Sequence, residues 1–177
     1  MSLILVTNRK EVVIILDKIE THGLDTEQQI FFYEQDFYPF SNFSAFQVLY
    51  QGITFQTSEH AYHWAKFQAL DAKVRAIAEK IRLAPSAHEA FKLAQKNKEF
   101  VRPDWDTIKF GIMKIILYCK YHQHEYVRKK LRQSGNRELI ENSWRDDVWG
   151  WGPNKDGQNR LGKLWMEIRD ETKATQS

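Results

Sequence analysis

The stretch Phe55-Gln56-Thr57-Ser58-Glu59-His60-Ala61-Tyr62-His63-Trp64-Ala65-Lys66-Phe67 constrains the chain most, because it converts a strand into a helix. Thr57 or Ser58 can cap the helix, since a side-chain oxygen there accepts from a backbone N–H that the helix leaves unpaired. Glu59 then falls in the first turn, where negative charge complements the helix dipole. Residues three or four apart share a helix face, so Glu59, His63 and Lys66 line one side, with Tyr62 beside them. Ala61, Trp64, Ala65 and Phe67 fall on the remainder, which supplies core contacts. Two readings of the polar side stay open: the wall of a pocket, or the solvated charges of an ordinary amphipathic helix.

The chain around this stretch has 177 residues, enough for one domain with a substantial core. Aromatic residues make up 14% of it, and such rings either fill a core or stack on a planar ligand. The net charge of +3 is too small to argue for nucleic acid by itself and suits a phosphorylated ligand equally well. Cys119 is the single cysteine, so no intramolecular disulfide can form and a reducing compartment is expected. No apolar run is long enough to cross a bilayer. Leu3–Val6 is too short for a signal-peptide core, and Asn8-Arg9-Lys10-Glu11 interrupts it. The expectation is a cytoplasmic enzyme or binding protein.

Taken in order, Leu3–Val6 reads as a strand. Val12, Ile15, Leu16 and Ile19 repeat at helical spacing up to Gly23, although the β-branched run Val12–Ile15 also fits a strand. Ile30–Tyr33 is a strand. Pro39 and the Ser41-Asn42 pair predict an ordered loop over Glu34–Phe43. Ser41, Asn42 and Phe43 there can stack a ring and hydrogen-bond a sugar, or the aromatics can simply seal the core. Gln51-Gly52 between Phe46–Tyr50 and Ile53–Gln56 is a hairpin signal. Asp71 caps a helix over Lys73–Leu83, and Ser86 with Glu89 starts another whose inward face includes Ala90, Phe91, Leu93 and Ala94. Asp104 is the expected cap of a long buried helix marked by Ile108, Ile112, Ile115, Ile116 and Cys119. Tyr126–Gln133 is a basic amphipathic helix, and Leu139-Ile140 a short strand. The run Arg128-Lys129-Lys130-Leu131-Arg132 is either a basic groove or a solvated face.

Trp144–Gly162 is different in kind, rich in Trp and Gly before a helix over Lys163–Arg169. Long irregular stretches inside a compact domain are usually functional. Gly150 and its neighbours let backbone approach a ligand closely. Asn159 and Arg160 at the helix N-terminus offer a place for a phosphate. Trp149 and Trp151 stack on a base or anchor the core. Neither the Walker pattern nor the dinucleotide glycine pattern is present.

Three separated pieces, with Arg102-Pro103-Asp104-Trp105 between them, carry a family resemblance. They are Ser41-Asn42-Phe43; Thr57-Ser58-Glu59-His60 through Lys66-Phe67; and Asp146-x-x-Trp149-Gly150 with Gly157-Gln158-Asn159-Arg160-Leu161-Gly162-Lys163-Leu164. In this order they resemble the YbiA/NADAR family, the YbiA-like N-glycosidases, over about Ile30 to Arg169. The resemblance implies a mixed α/β, mostly helical single domain with a small sheet or hairpin packed by helices. It places an N-glycosidase domain at 30–172, an N-terminal extension (strand plus short helix) at 1–29 and a frayed tail at 173–177. It implies hydrolysis of the C–N bond between ribose and a nitrogenous group, without a cofactor. The substrate it implies is a phosphorylated ribosyl-amino-pyrimidine of riboflavin synthesis, or ADP-ribosylated guanine in nucleosides or DNA. Carried over, the expected catalytic positions are Glu59, Trp105 and Asp146, with Lys66. Ser41, Asn42, Phe43, His63, Trp149, Gly150, Asn159 and Arg160 are expected to bind substrate. Ala61-Tyr62-His63-Trp64-Ala65 departs from the family's usual Tyr-Phe-Gln-Ala-Gln, which bears on substrate preference more than on chemistry.

Cleaving a ribosyl C–N bond builds positive charge at C1 of the sugar, which a carboxylate stabilises. Glu59 and Asp146 can divide the acid and base work, with Glu59 nearest the ribose. Lys66 either forms a Schiff base with ring-opened ribosylamine, pairs with Glu59, or binds phosphate. His60 and His63 lack a third ligand and the His-Glu-x-x-His order, so no metal is expected. A non-catalytic ADP-ribose or nucleotide reader is the remaining alternative, and the retained acids argue against it.

Overall fold

The computed structural model describes residues 4–8, 11–15, 23–33 and 35–174. Strands β1 (Ile4–Asn8) and β2 (Glu11–Ile15) form an antiparallel pair. The β-branched side of the ambiguity prevails over Val12–Ile15, so the expected helix does not start there, and its remainder lies outside the described residues.

The centre of the fold is a parallel pair of strands, β3 (Gln29–Phe32) and β6 (Glu138–Glu141), in register Ile30 to Leu139 and Phe32 to Glu141. Parallel strands need a crossover connection, and here most of the helices lie within it. A 3-10 helix at Gln35–Phe40 occupies the segment expected to be irregular. Hairpin β4 (Val48–Tyr50) and β5 (Ile53–Phe55) follows, and its turn residues Gln51 and Gly52 both take positive φ, as a tight hairpin demands.

Helix α1 (Ser58–Ala65) then enters the core and packs on α2 (Ala72–Arg82), α3 (Ala87–Lys96) and α4 (Trp105–Gln123). Asp71 and Ser86 cap α2 and α3 through their side chains. Asp104 does not cap α4 that way, because its carboxylate is taken by Arg102 at 2.6 and 2.9 Å. The buried face of α4 runs through Met113, Ile116, Leu117 and Tyr121, which turns Ile115 outward. Phe91 on α3, expected inside, is 37% exposed and lies against the His63 ring.

Helix α5 (Glu125–Gln133) carries the basic run, and that run is not a groove. Arg128 and Arg132 pair with Glu125, and Lys130 is buried against Asp36. Helix α6 (Arg160–Ala174) packs on β6, and Trp165 Nε1 donates to the Phe40 carbonyl at 2.8 Å. No helix among the described residues is long and apolar enough to cross a membrane.

Candidate active site

Every residue of α1 is buried, so its polar side is not a solvated face. Thr57 accepts from the His60 amide and contacts His60 Nδ1 at 2.8 Å, while His60 Nε2 donates to the Ala84 carbonyl. Both ring nitrogens of His60 are therefore engaged in holding the helix start. His63 lies one turn beyond Glu59, and Nε2 sits 2.7 Å from Glu59 Oε1. Burial pushes the His63 pKa down against the pull of Glu59. The neutral ring donates from Nε2, and its Nδ1 is a buried acceptor without a partner.

Lys66, at the C-terminal end of α1, rests its ammonium 4.9 Å from the Tyr62 ring centre and 5.6 Å from that of Trp105. Aromatic faces attract a cation, but burial dominates, and the Lys66 pKa falls to about 8 despite Glu59. Tyr62 meets Trp105 at 5.0 Å and Trp149 at 5.3 Å, and burial followed by the Glu59 charge drives its phenol above the usual range. The Lys66 carbonyl accepts from the Arg102 amide, which ties this aromatic box to the start of α4.

The loop after β6 supplies the other side. Asp146 Oδ1 accepts from the amides of Val148 and Trp149, a turn that places Trp149 against Tyr62 and Phe110. Gly150 has no room for a side chain: a Cβ there would lie 2.8 Å from Ser143 Cβ, 2.9 Å from the Glu141 carbonyl and 3.1 Å from the Asp146 carbonyl. Its role is close approach within the loop.

At the start of α6, where the sequence suggested a phosphate, the backbone amides of 158–161 are engaged within the chain. The amides of Gln158, Asn159, Arg160 and Leu161 donate to the carbonyls of Asp147, Gly150, Val148 and Trp149. Asn159 is equally committed, with Oδ1 accepting from the Glu141 amide and Nδ2 donating to the Leu139 carbonyl. It is a clamp on β6. Arg160 is exposed, lies over the Phe110 ring at 4.8 Å and donates to Gln158. Trp151 packs on Phe31.

The Ser41–Phe43 turn reaches α1 through the Asn42 carbonyl, which accepts from the Glu59 amide at 3.1 Å. Asn42 Oδ1 is buried without a partner. Ser41 is a scaffold residue, its hydroxyl accepting from the Phe43 amide and its carbonyl from Lys120. Phe43 itself is 45% exposed. Lys120, which the sequence offered no reason to single out, is fully buried on α4 and donates to the Ser41 carbonyl and the Ser44 hydroxyl. Burial lowers its pKa to about 7.

Glu141, the last residue of β6, was also missed. It is 8% exposed, and its Oε2 is buried without a partner. Burial first, then the charges of Asp146 and Glu59, lift its pKa to about 8. Its signal in the sequence was only an acid closing an apolar strand before a Gly-rich loop. The charges of both Glu59 and Asp146 also act on Tyr62 and on Lys66. Acids far apart in sequence thus bear on the same two side chains.

A family model of the NADAR domain matches residues 31–173. The chain belongs to the NADAR family. The N-glycosidase YbiA of Shigella boydii serotype 4 is 35% identical over 147 residues, which cover 83% of this chain and 89% of that one. A riboflavin biosynthesis protein of Vibrio vulnificus is 33% identical over 153 residues, 82% of this chain but 39% of that longer protein. The NMR structure of Escherichia coli YbiA superposes with a TM-score of 0.74 at 33% identity, covering 86% of this chain and 89% of that one. In this NADAR domain the fold is mostly helical with small sheets, as the resemblance implied.

Proposed function

We propose that the chain is an N-glycosidase that hydrolyses the bond between a phosphorylated ribose and an amino-pyrimidine, an intermediate of riboflavin synthesis, in the cytoplasm. What supports this reading is that the charges of Glu59 and Asp146 both bear on Tyr62 and Lys66, whose surroundings include the rings of Trp105 and Trp149. Glu59, held by His63, is the carboxylate that faces the cationic ribose carbon, where a fixed negative charge lowers the barrier. Asp146 shares the acid–base work. The aromatic rings hold the planar base, and the buried Asn42 Oδ1 accepts from a sugar hydroxyl. Lys66 provides a covalent route, since an amine with a pKa near 8 is partly neutral at physiological pH and can condense with the ring-opened sugar.

Removal of ADP-ribose from guanine is the second reading. Trp144, 64% exposed with the Arg145 guanidinium 4.2 Å above its ring, favours it, because such a pair beside Asp146 can stack part of a larger substrate.

Product analysis with both substrate types decides between them. Release of amino-pyrimidine alone supports the first reading, and release of guanine alone the second. Glu59→Gln and Asp146→Asn each lose turnover by at least about 10²-fold while keeping the wild-type circular dichroism spectrum. Wild-type rates in both variants would refute the assignment.

A further inference from the structure

We propose that Glu141 is a catalytic residue, the acid that hands its proton to the departing base nitrogen. The inference rests on the N-glycosidase reading and settles which carboxyl group protonates the leaving group. Three observations carry it. First, Glu141 is 8% exposed, and its Oε2 is buried with no hydrogen-bond partner. Ionising a carboxyl group with a buried, unpartnered oxygen is costly, which favours the neutral acid with an O–H to give. Second, its backbone is fixed more firmly than a strand end requires. Asn159 Oδ1 accepts from its amide, and its carbonyl accepts from the amides of Ser143 and Trp151. Third, a Cβ at Gly150 would lie 2.9 Å from the Glu141 carbonyl and 3.1 Å from the Asp146 carbonyl, so the backbones that carry the two acids run close together just after β6.

The charged groups that bear on Glu141 are Asp146 from its own loop and Glu59 from α1. Both are acids, and both favour the protonated form, as burial does. Asn159, just ahead of α6, is a polar neighbour of its backbone.

The step balances without a co-reactant. The C1–N electron pair moves to nitrogen, and the Glu141 O–H bond breaks as the new N–H bond forms. Water adds its oxygen to C1, either directly or in hydrolysing a Lys66 adduct, and gives a proton to Asp146. Transfer of that proton back to Glu141 resets the site. Asp146 is thereby the base and Glu141 the acid, with Glu59 left to stabilise the cationic sugar.

The test uses the whole chain and a ribosylamino-pyrimidine phosphate. Glu141→Gln matches the size and charge of the protonated acid but gives up no proton. It is expected to lower kcat by about 10²–10⁴-fold with KM within about threefold. A role confined to structure would instead lower the thermal midpoint and leave kcat near the wild-type value. Infrared difference spectra of wild type against this variant at about pH 6 are expected to show the carbonyl stretch of a protonated carboxyl group. If Glu141→Gln does not fold, the wild-type band, which is expected to fade as pH rises and to move in Glu141→Asp, carries the test. Wild-type kcat in Glu141→Gln, or no protonated-carboxyl band in the wild type, overturns the proposal. Failure of the wild-type enzyme to release base refutes the N-glycosidase reading itself, and is seen before any variant is made.

Discussion

The reactive groups of this site owe their chemistry to burial more than to neighbouring charge. Lys66 shows the consequence most directly. Desolvation is the first cause of its lowered pKa, with Glu59 opposing, and the result is about 8. Only the neutral amine attacks a sugar carbonyl, so its fraction rises as pH climbs through about 8 and approaches its maximum above that value. Borohydride trapping with a ribosylamine substrate should therefore yield a covalent adduct at Lys66 that forms about tenfold faster at pH 9 than at pH 7. Lys66→Arg should give none. A wild-type enzyme that turns over freely yet never traps would restrict Lys66 to binding. Glu59 and His63 were readable as a pair from their spacing alone. Glu141 was not, because no local pattern tells which acid at a strand end points inward. Asn159 was visible, but its side chain completes the backbone of β6, 18 and 20 residues earlier, and only the fold reveals that.

Among elements, α6 and β6 pack so closely that one hydrogen atom decides the contact. A Cβ at Gly162 would come within 2.0 Å of the Leu139 carbonyl, the same carbonyl that accepts from Asn159. Gly111 lies on an exposed side of α4 with nothing within 4 Å of a Cβ. The two glycines should respond oppositely to the same substitution. Gly111→Ala removes backbone entropy from the unfolded chain and is expected to stabilise by about 0.5–1 kcal/mol. Gly162→Ala must push α6 off β6, with an expected loss of about 3 kcal/mol or more, since overpacking of this kind typically costs about 1–3 kcal/mol before hydrogen bonds are broken. Urea denaturation of both variants checks the signs. The capping residues, the hairpin turn and the helical repeats made these elements legible in advance. The consumed N-terminus of α6 was not legible, because its carbonyl partners come from a loop with no periodicity to read.

At the scale of the molecule, the site exists only when β3 meets β6. Glu59 lies inside the crossover between these strands, and Asp146 lies beyond it, so the proposed site needs the parallel pair to bring its two acids near each other. What registers β3 lies just ahead of it. Asp25 Oδ1 accepts from the Phe31 amide at 2.7 Å, and the Gln28 carbonyl accepts from the Glu138 amide at 2.8 Å. Strands β1 and β2 instead pair with each other from end to end, and the NADAR match begins only at residue 31. We therefore propose that the N-glycosidase unit needs residues from about 23 onward and that the β1–β2 pair is an addition to it. A chain lacking residues 1–22 should keep wild-type turnover and a thermal midpoint within about 2–4 °C, the shift that about 1 kcal/mol produces at this size. Extending the deletion through Gln28 removes both contacts that register β3, and turnover and cooperative unfolding should then be lost together. Loss of activity on the shorter deletion, with the midpoint unchanged, would make the β1–β2 pair part of the site.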